Sequence, residues 1–247
     1  MTILILANTA NAEYYTMLEE CVKNIPARYR VVVVETNYKL EKKTIPLALR
    51  CKFLFPKLEF NYNKYINIGL HYIEHTSRDN KVVISNNDII YSPTAIAELD
   101  NALNHYDSVC PWDTNDPVQT AHINNKGSVV GNQVGIHIIG CCIGTWITTI
   151  KKIGGFDERF KFWYQDNDYA DLIRKHNISH AIIPQAKIIH LGRQSHKLVT
   201  NLKEYTNDQE AVYYQKLNEN SNTSTEPREN EQPADVIDIN TNNSKQP

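Results

Sequence analysis

The chain has 247 residues, of which 41% are apolar and 22% charged, with a net charge of −2; this balance suits a globular protein and excludes collagen-like and wholly disordered classes. Residues 218–247 offer only Ala234, Val236, Ile237 and Ile239 as apolar side chains among seven asparagines and three prolines. That is too little to offset the entropy of ordering, so a folded domain is expected over 1–217 and a disordered acidic, Asn-rich tail over 218–247. The tail holds a net −4, which leaves the body at +2. Within the body, residues 23–81 carry twelve Lys and Arg against five acids, and residues 82–150 carry Lys126 against six acids. Such clustering either guides a polyanion or forms solvated faces.

Ile3-Leu4-Ile5-Leu6-Ala7 reads as a buried strand that begins at once and stops at Asn8-Thr9, with no basic leading region, so no secretion signal is expected. Tyr14 to Val22 has helical spacing, and Val31 to Val34 is a second strand, too continuous for a half-exposed hairpin, ending at Glu35. Asn61 to His75 reads as a helix, Val82-Val83-Ile84 as a third buried strand stopping at Ser85-Asn86-Asn87-Asp88, and Pro93 to Tyr106 as another helix. A short strand at Ser108-Val109-Cys110 precedes a polar loop, Pro111 to Gly131; a helix follows from about Asp166 to His176 and a strand around Ala181 to Ile183. Alternating strands and helices argue for an open α/β sheet with ligands beyond the carboxyl ends of its strands.

The most apolar later stretch, Val134 to Ile150, is broken by His137, Thr145, Thr148, Thr149 and three glycines. It falls short of the ~20 apolar residues of a membrane span and suits a core segment. Five cysteines with no CxxC spacing fit reduced thiols in the cytoplasm rather than a disulfide frame or zinc site, with Cys141 and Cys142 in the core. There is no glycine-rich phosphate loop, which disfavours dinucleotide and P-loop chemistry.

Three groups of residues carry chemistry. Asn86-Asn87-Asp88 ends a buried strand, where oxygen ligands can hold a hard cation, although turns use the same residues. Phe162-Trp163-Tyr164-Gln165-Asp166-Asn167-Asp168 sets two acids beside aromatics at a helix start, where acids also cap. His190 follows an apolar strand and offers an imidazole ligand.

In order along the chain, Asn8, Glu35, Asn67-Ile68-Gly69, Asn86-Asn87-Asp88, Gly154-Gly155-Phe156-Asp157-Glu158, Gln165-Asp166-Asn167-Asp168 and His190 resemble the pattern of family 2 glycosyltransferases. The resemblance covers roughly residues 1–200 and is most specific at Gly154 to Glu158 and the acidic segment after it. It implies a GT-A-like open mixed sheet, mostly parallel, with helices on both faces, and an inverting transfer from a nucleotide-sugar donor to a glycan or lipid-linked acceptor. It further implies a Mn2+ or Mg2+ ion on Asp88 and His190, and Asp166 as base. Asn8, Glu35, Asn63, Asn67, Asn87 and Asp88 would lie at the donor, and Trp163, Tyr164, Gln165 and Asp168 around the sugar or acceptor. Two positions depart from the pattern: Asn86 stands for the first acid of Asp-x-Asp, and Gln165 for the Glu before the base. The alternatives left open are an acceptor of hydroxylated bases in viral DNA, which the basic 23–81 region would suit, a noncatalytic nucleotide-sugar binder, and a nucleotidyltransferase.

Overall fold

The computed structural model of the chain describes residues 1–9, 11–37, 46–123, 127–192 and 202–223. The described residues divide into two units, one over Met1–Tyr213 and one that starts at Tyr214. The elements are β1 (Thr2–Ala7), α1 (Ala12–Lys23), β2 (Arg30–Glu35), β3 (Lys52–Leu54), α2 (Tyr62–Thr76), β4 (Lys81–Asn86), β5 (Ile89–Tyr91), α3 (Ala95–Ala102), β6 (Ser108–Asp113), α4 (Pro117–His122), β7 (Val129–Val130), β8 (Cys142–Trp146), α5 (Ile147–Ile153), α6 (Gln165–Lys175), β9 (His180–His190) and α7 (Leu202–Thr223).

The strands form one sheet in the order β3-β2-β1-β4-β8-β6-β9-β5, with β7 also paired to β9. β3, β2, β1 and β4 are mutually parallel. β8 runs antiparallel to both β4 and β6, and β9 is parallel to β6. β1, β2, β4, β6 and β9 therefore point the same way, and their carboxyl ends share one edge. β5 and β7 pair antiparallel with β9, which completes an open mixed sheet whose first half is wholly parallel.

Every residue of β1 is buried, as are Val31–Glu35 of β2 and Val82–Ser85 of β4. Side chains alternate across a strand, so both faces of this part of the sheet are covered. α2 covers one face closely: a Cβ at Gly69 would collide with Leu4 and press on Val34. α1 and α2 start where the side chains of Asn11 and Asn61 accept hydrogen bonds from the amides of Tyr14 and Lys64, at 3.0 and 2.9 Å, the usual N-cap contact.

Three differences from the sequence reading have local causes. The polar stretch after Cys110 is not all loop, because β6 continues to Asp113 and Asp116 with Pro117 starts α4. The strand at Ala181–Ile183 extends over His180–His190, with a register shift between Pro111 and Trp112 that skips the residues around Pro184; proline lacks a ladder donor and is accommodated at such a bulge. α7 runs to Thr223, past the expected boundary at 217, with a Gln215–Glu219 hydrogen bond of 3.0 Å supporting the turn there. Residues 224–247 of the expected tail lie outside the described residues. All five cysteines are buried and free, with Cys141 and Cys142 in the core as expected. Among the described residues no helix is long and apolar enough to cross a membrane.

Candidate active site

The carboxyl edge of the sheet gathers Asn8, Glu35, Asn86 and the ends of β6 and β9. β4 ends at Asn86, and the turn Asn87-Asp88 reverses the chain into β5. β5 lies on β9 with Ile89 opposite His190, which brings Asp88 and His190 together from distant parts of the sequence. His190 Nε2 is 3.3 Å from Asp88 Oδ1, and the Asp88 carbonyl accepts the Leu191 amide at 3.0 Å. Asp88 is 5% exposed, yet its Oδ1 has no well-aligned hydrogen-bond donor, and the His190 imidazole is its near neighbour. Burial alone would lower the His190 pKa; hydrogen-bonding attraction to the Asp88 side chain, with the charges of Asp88, Asp113 and Asp116, outweighs it and holds the imidazole above its ordinary value. A buried carboxylate oxygen without a well-aligned donor, beside an imidazole nitrogen, is a donor set that fits a divalent cation.

Asp113, which the sequence reading missed, completes this corner. It is buried at the end of β6, and its Oδ1 accepts the amides of His190 at 3.2 Å and Asn115 at 3.1 Å. The Asp113 amide in turn donates to Gln119 Oε1 at 2.8 Å. The signal available was an acid closing an apolar strand, as Glu35 closes β2.

A short chain of contacts joins this corner to Asp166. The buried Tyr62 hydroxyl donates to Asn86 Oδ1 at 2.8 Å and lies 3.3 Å from the Gly140 carbonyl. Gly140 faces Asp166 closely, since a Cβ there would sit 3.3 Å from the Asp166 Cβ and 3.5 Å from its Oδ2. Burial, with Cys141, Asp88 and Asp166 nearby, drives the Tyr62 phenol far above its ordinary pKa, so it stays a neutral donor. Asp166 sits in the first turn of α6 and its Oδ1 accepts the Asn167 amide at 3.0 Å. Burial raises its carboxyl pKa, against the lowering effect of the backbone N–H groups of Asn167 and Asp166.

The segment ahead of Asp166 is held from outside. Tyr164 adopts a left-handed φ of 64°, uncommon for a tyrosine, and its ring stacks on Tyr213 of α7 with centroids 5.3 Å apart. The Tyr213 hydroxyl donates to Asp171 Oδ2 at 2.7 Å. Trp163 packs edge-on against Phe162 at 5.1 Å. Gln165 Oε1 is buried without a donor. Asp168 is 3% exposed and lies inside the helix, its amide bonded to the Tyr164 carbonyl at 2.9 Å.

Other expected donor residues have partners within the chain. Glu35 is 1% exposed; it accepts the Thr9 amide at 3.2 Å, the Thr9 hydroxyl at 2.6 Å and the Asn37 amide at 2.7 Å. Burial raises its pKa while these donors oppose the rise, and the carboxylate ties the loops after β1 and β2 together. Asn61, Asn63 and Asn67 all reach from α2 to one segment. The side-chain amides of Asn61, Asn63 and Asn67 donate to the carbonyls of Glu158, Asp157 and Phe156 at 2.7, 2.8 and 2.8 Å. Asn67 Oδ1 accepts the Phe156 amide at 3.1 Å. Gly154 and Gly155, at φ 85° and 83°, supply the left-handed turn that brings Phe156 back to α2. Asn63 is fully buried with its Oδ1 unpartnered, and both ends of the Asn67 amide are engaged, so this ladder docks the Gly154–Glu158 segment.

The sequence matches no protein-family model and no curated protein. Among solved structures the chain is similar to GalNAc-T7 with UDP, GalNAc and Mn2+, at a TM-score of 0.58 and 10% identity over 76% of this chain and 42% of that one. It is also similar to the mannosyltransferase PcManGT from Pyrobaculum calidifontis in complex with GDP-Man and Mn2+, at a TM-score of 0.55 and 14% identity over 80% of this chain and 59% of that one. The chain thus spans about half the length of these proteins, and at such identity the likeness shows the fold: an open, mixed, GT-A-like α/β sheet.

Proposed function

We propose that the chain is a glycosyltransferase that moves a sugar from a nucleotide-sugar donor to an acceptor hydroxyl with inversion, in the manner of family 2. The observation that carries this reading is the buried Asp88 Oδ1, without a well-aligned donor, with His190 Nε2 at 3.3 Å, at the carboxyl edge of a GT-A-like sheet. The two similar structures support it, since both hold Mn2+, one with UDP and GalNAc and the other with GDP-Man.

Asp88 and His190 would hold the cation, Mn2+ or Mg2+, whose Lewis-acid charge eases departure of the nucleoside diphosphate. Asp113 fixes the His190 backbone through its amide. Asn8 and Asn87 border the nucleotide's place beyond the strand ends, and Glu35 acts on it indirectly, by holding the Thr9 and Asn37 loops. Asp166 takes the proton of the attacking acceptor hydroxyl; its raised pKa makes it a better proton acceptor than a free aspartate. Attack from the face opposite the departing diphosphate inverts the anomeric centre. Trp163, Tyr164 and Gln165 shape the approach to Asp166, while Asp168 supports α6. The acceptor is a glycan or lipid-linked saccharide.

Incubation of the full chain with UDP- and GDP-sugars, Mn2+ and a saccharide acceptor should release nucleoside diphosphate and give a product of inverted anomeric configuration by proton NMR. Excess chelator should stop the release. Donor binding without release for any acceptor would identify a noncatalytic binder, release of pyrophosphate a nucleotidyltransferase, and retention at the anomeric carbon would overturn the role of Asp166.

A further inference from the structure

The last turns of α2 present a cluster that the proposed transfer does not use. His71, Glu74 and His75 have i, i+3 and i+4 spacing, so they lie on one helix face. All three are exposed, and one ligand atom from each lies within 4.8 Å of the others. The two imidazole rings are 4.1 Å apart between centroids. His75 Nδ1 is 2.8 Å from the His71 carbonyl; a carbonyl only accepts, so Nδ1 carries the hydrogen and the lone pair of the neutral ring is on Nε2. An outer acceptor of this kind fixes the tautomer of metal-binding imidazoles. Glu74 is ion-paired with Lys151 of α5, which orients the carboxylate over the same face.

We infer that His71, Glu74 and His75 form a second metal site, separate from Asp88 and His190, that takes a borderline divalent cation such as Ni2+, Zn2+ or Cu2+. Two imidazoles with one carboxylate suit these ions, whereas a site dominated by carboxylates suits Mn2+ and Mg2+. Bonds of about 2.0–2.1 Å to imidazole nitrogen require the three ligand atoms to draw closer than they stand. Exposed side chains can do this by small rotations within their rotamer wells. His71 is nine residues beyond Tyr62, roughly 14 Å along the helix axis, so the two sites share no ligand. An ion here would clamp the end of α2 and, through Glu74 and Lys151, brace it against α5.

The test uses the full, untagged chain with Mn2+ present, titrated with nickel chloride by calorimetry, and thermal unfolding with and without nickel. Nickel should bind His71, Glu74 and His75 at one equivalent, apart from any exchange with Mn2+ at Asp88 and His190, and raise the unfolding midpoint by mass action. His71→Gln and His75→Gln should each weaken binding by about tenfold or more and abolish the shift in midpoint. His122→Gln, on α4, should bind nickel as the parent does, and Asp88→Asn should keep the one equivalent held by His71, Glu74 and His75. Nickel-free unfolding midpoints verify that each variant folds, and glutamine at an exposed helix position preserves helix propensity. Absence of binding by the parent at millimolar nickel overturns the site. So do unchanged affinities in both histidine variants, or loss of binding in Asp88→Asn.

Discussion

Replacing Asp166 by asparagine should move chemistry and folding in opposite directions. Asparagine keeps the side-chain shape and an oxygen for the Asn167 amide, 3.0 Å away in the parent, but it cannot take a proton. Loss of a positioned base lowers turnover by roughly 10²–10⁴-fold, about 2.7–5.5 kcal/mol in the transition state. The sign for folding follows from linkage. Burial raises the Asp166 pKa above its ordinary 3.8, so the folded chain binds this proton more tightly than the unfolded chain does. That contribution to stability is fully present below the unfolded pKa and is lost as the pH rises through the folded pKa. Near neutrality the buried, ionised carboxylate is therefore a net burden, which the neutral amide removes. Asp166→Asn should unfold at a temperature equal to or above the parent's near neutral pH, with the difference vanishing in acid. Single-turnover release of nucleoside diphosphate and thermal unfolding across pH measure the two effects. Transfer at a near-parental rate would refute the base assignment, and lower stability near neutrality would show that the carboxylate's hydrogen bonds outweigh its burial. The same pKa gives the parent an acidic limb: activity should fall as the pH drops through the raised value and Asp166 becomes protonated.

Other substitutions test the frame around it. Glu35→Gln should fold as stably as the parent near neutrality, because its oxygen still accepts amide donors and the Thr9 hydroxyl can turn to accept. Glu35→Ala should lose about 1–3 kcal/mol for each buried donor left unpaired; equal denaturation midpoints for the two variants would reject the bracing role. Gly69→Ala should cost about 1–3 kcal/mol in urea unfolding through overpacking against Leu4 and Val34, and a neutral result would deny that close approach. Asp113→Ala should weaken Mn2+ binding by about 10–100-fold as an outer-shell loss, with partial rescue in Asp113→Asn, whose oxygen can still accept the His190 amide; electron paramagnetic resonance of free Mn2+ reads the difference.

Much of the frame is legible in the sequence because burial on both faces leaves a plain trace: Ile3 to Ala7, Val31 to Val34 and Val82 to Ile84 are unbroken apolar runs, and each stops at a polar residue that the sheet then places on one edge. The strands β3, β5 and β7 are too short to show any period. Asp113 is hidden for a different reason. Its contact with His190 depends on the parallel pairing of β6 with β9 and on the register shift at Pro111–Trp112, neither of which has a local pattern. The Asn61, Asn63 and Asn67 ladder is hidden because its acceptors are mainly backbone carbonyls of Phe156 to Glu158, which carry no residue identity. The Gly154–Glu158 segment can thus be read as a motif from sequence, while its work as the dock for α2 emerges only in three dimensions.

The two amides that replace expected acids, Asn86 and Gln165, have a common electrostatic consequence. Tyr62 is 8% exposed and its buried hydroxyl needs an acceptor, which Asn86 Oδ1 provides at 2.8 Å. An aspartate at 86 would accept that bond equally, but it would add a negative charge across Tyr62 from Asp166, and a like charge raises a carboxylate pKa. With Asn86 neutral, Asp88, Asp113 and Asp116 supply the negative charge that faces His190. With Gln165 neutral, burial is the largest cause of the Asp166 shift. The groups proposed to hold the cation and the proton are therefore kept, while the charge around them is reduced. Asn86→Asp should leave Mn2+ affinity close to the parent's, because the side-chain oxygen at 86 is turned to Tyr62, and should shift the acidic limb of activity upward through repulsion on Asp166. Distinctly tighter Mn2+ binding in that variant would place residue 86 in the coordination shell and overturn the account of its exchange for an amide.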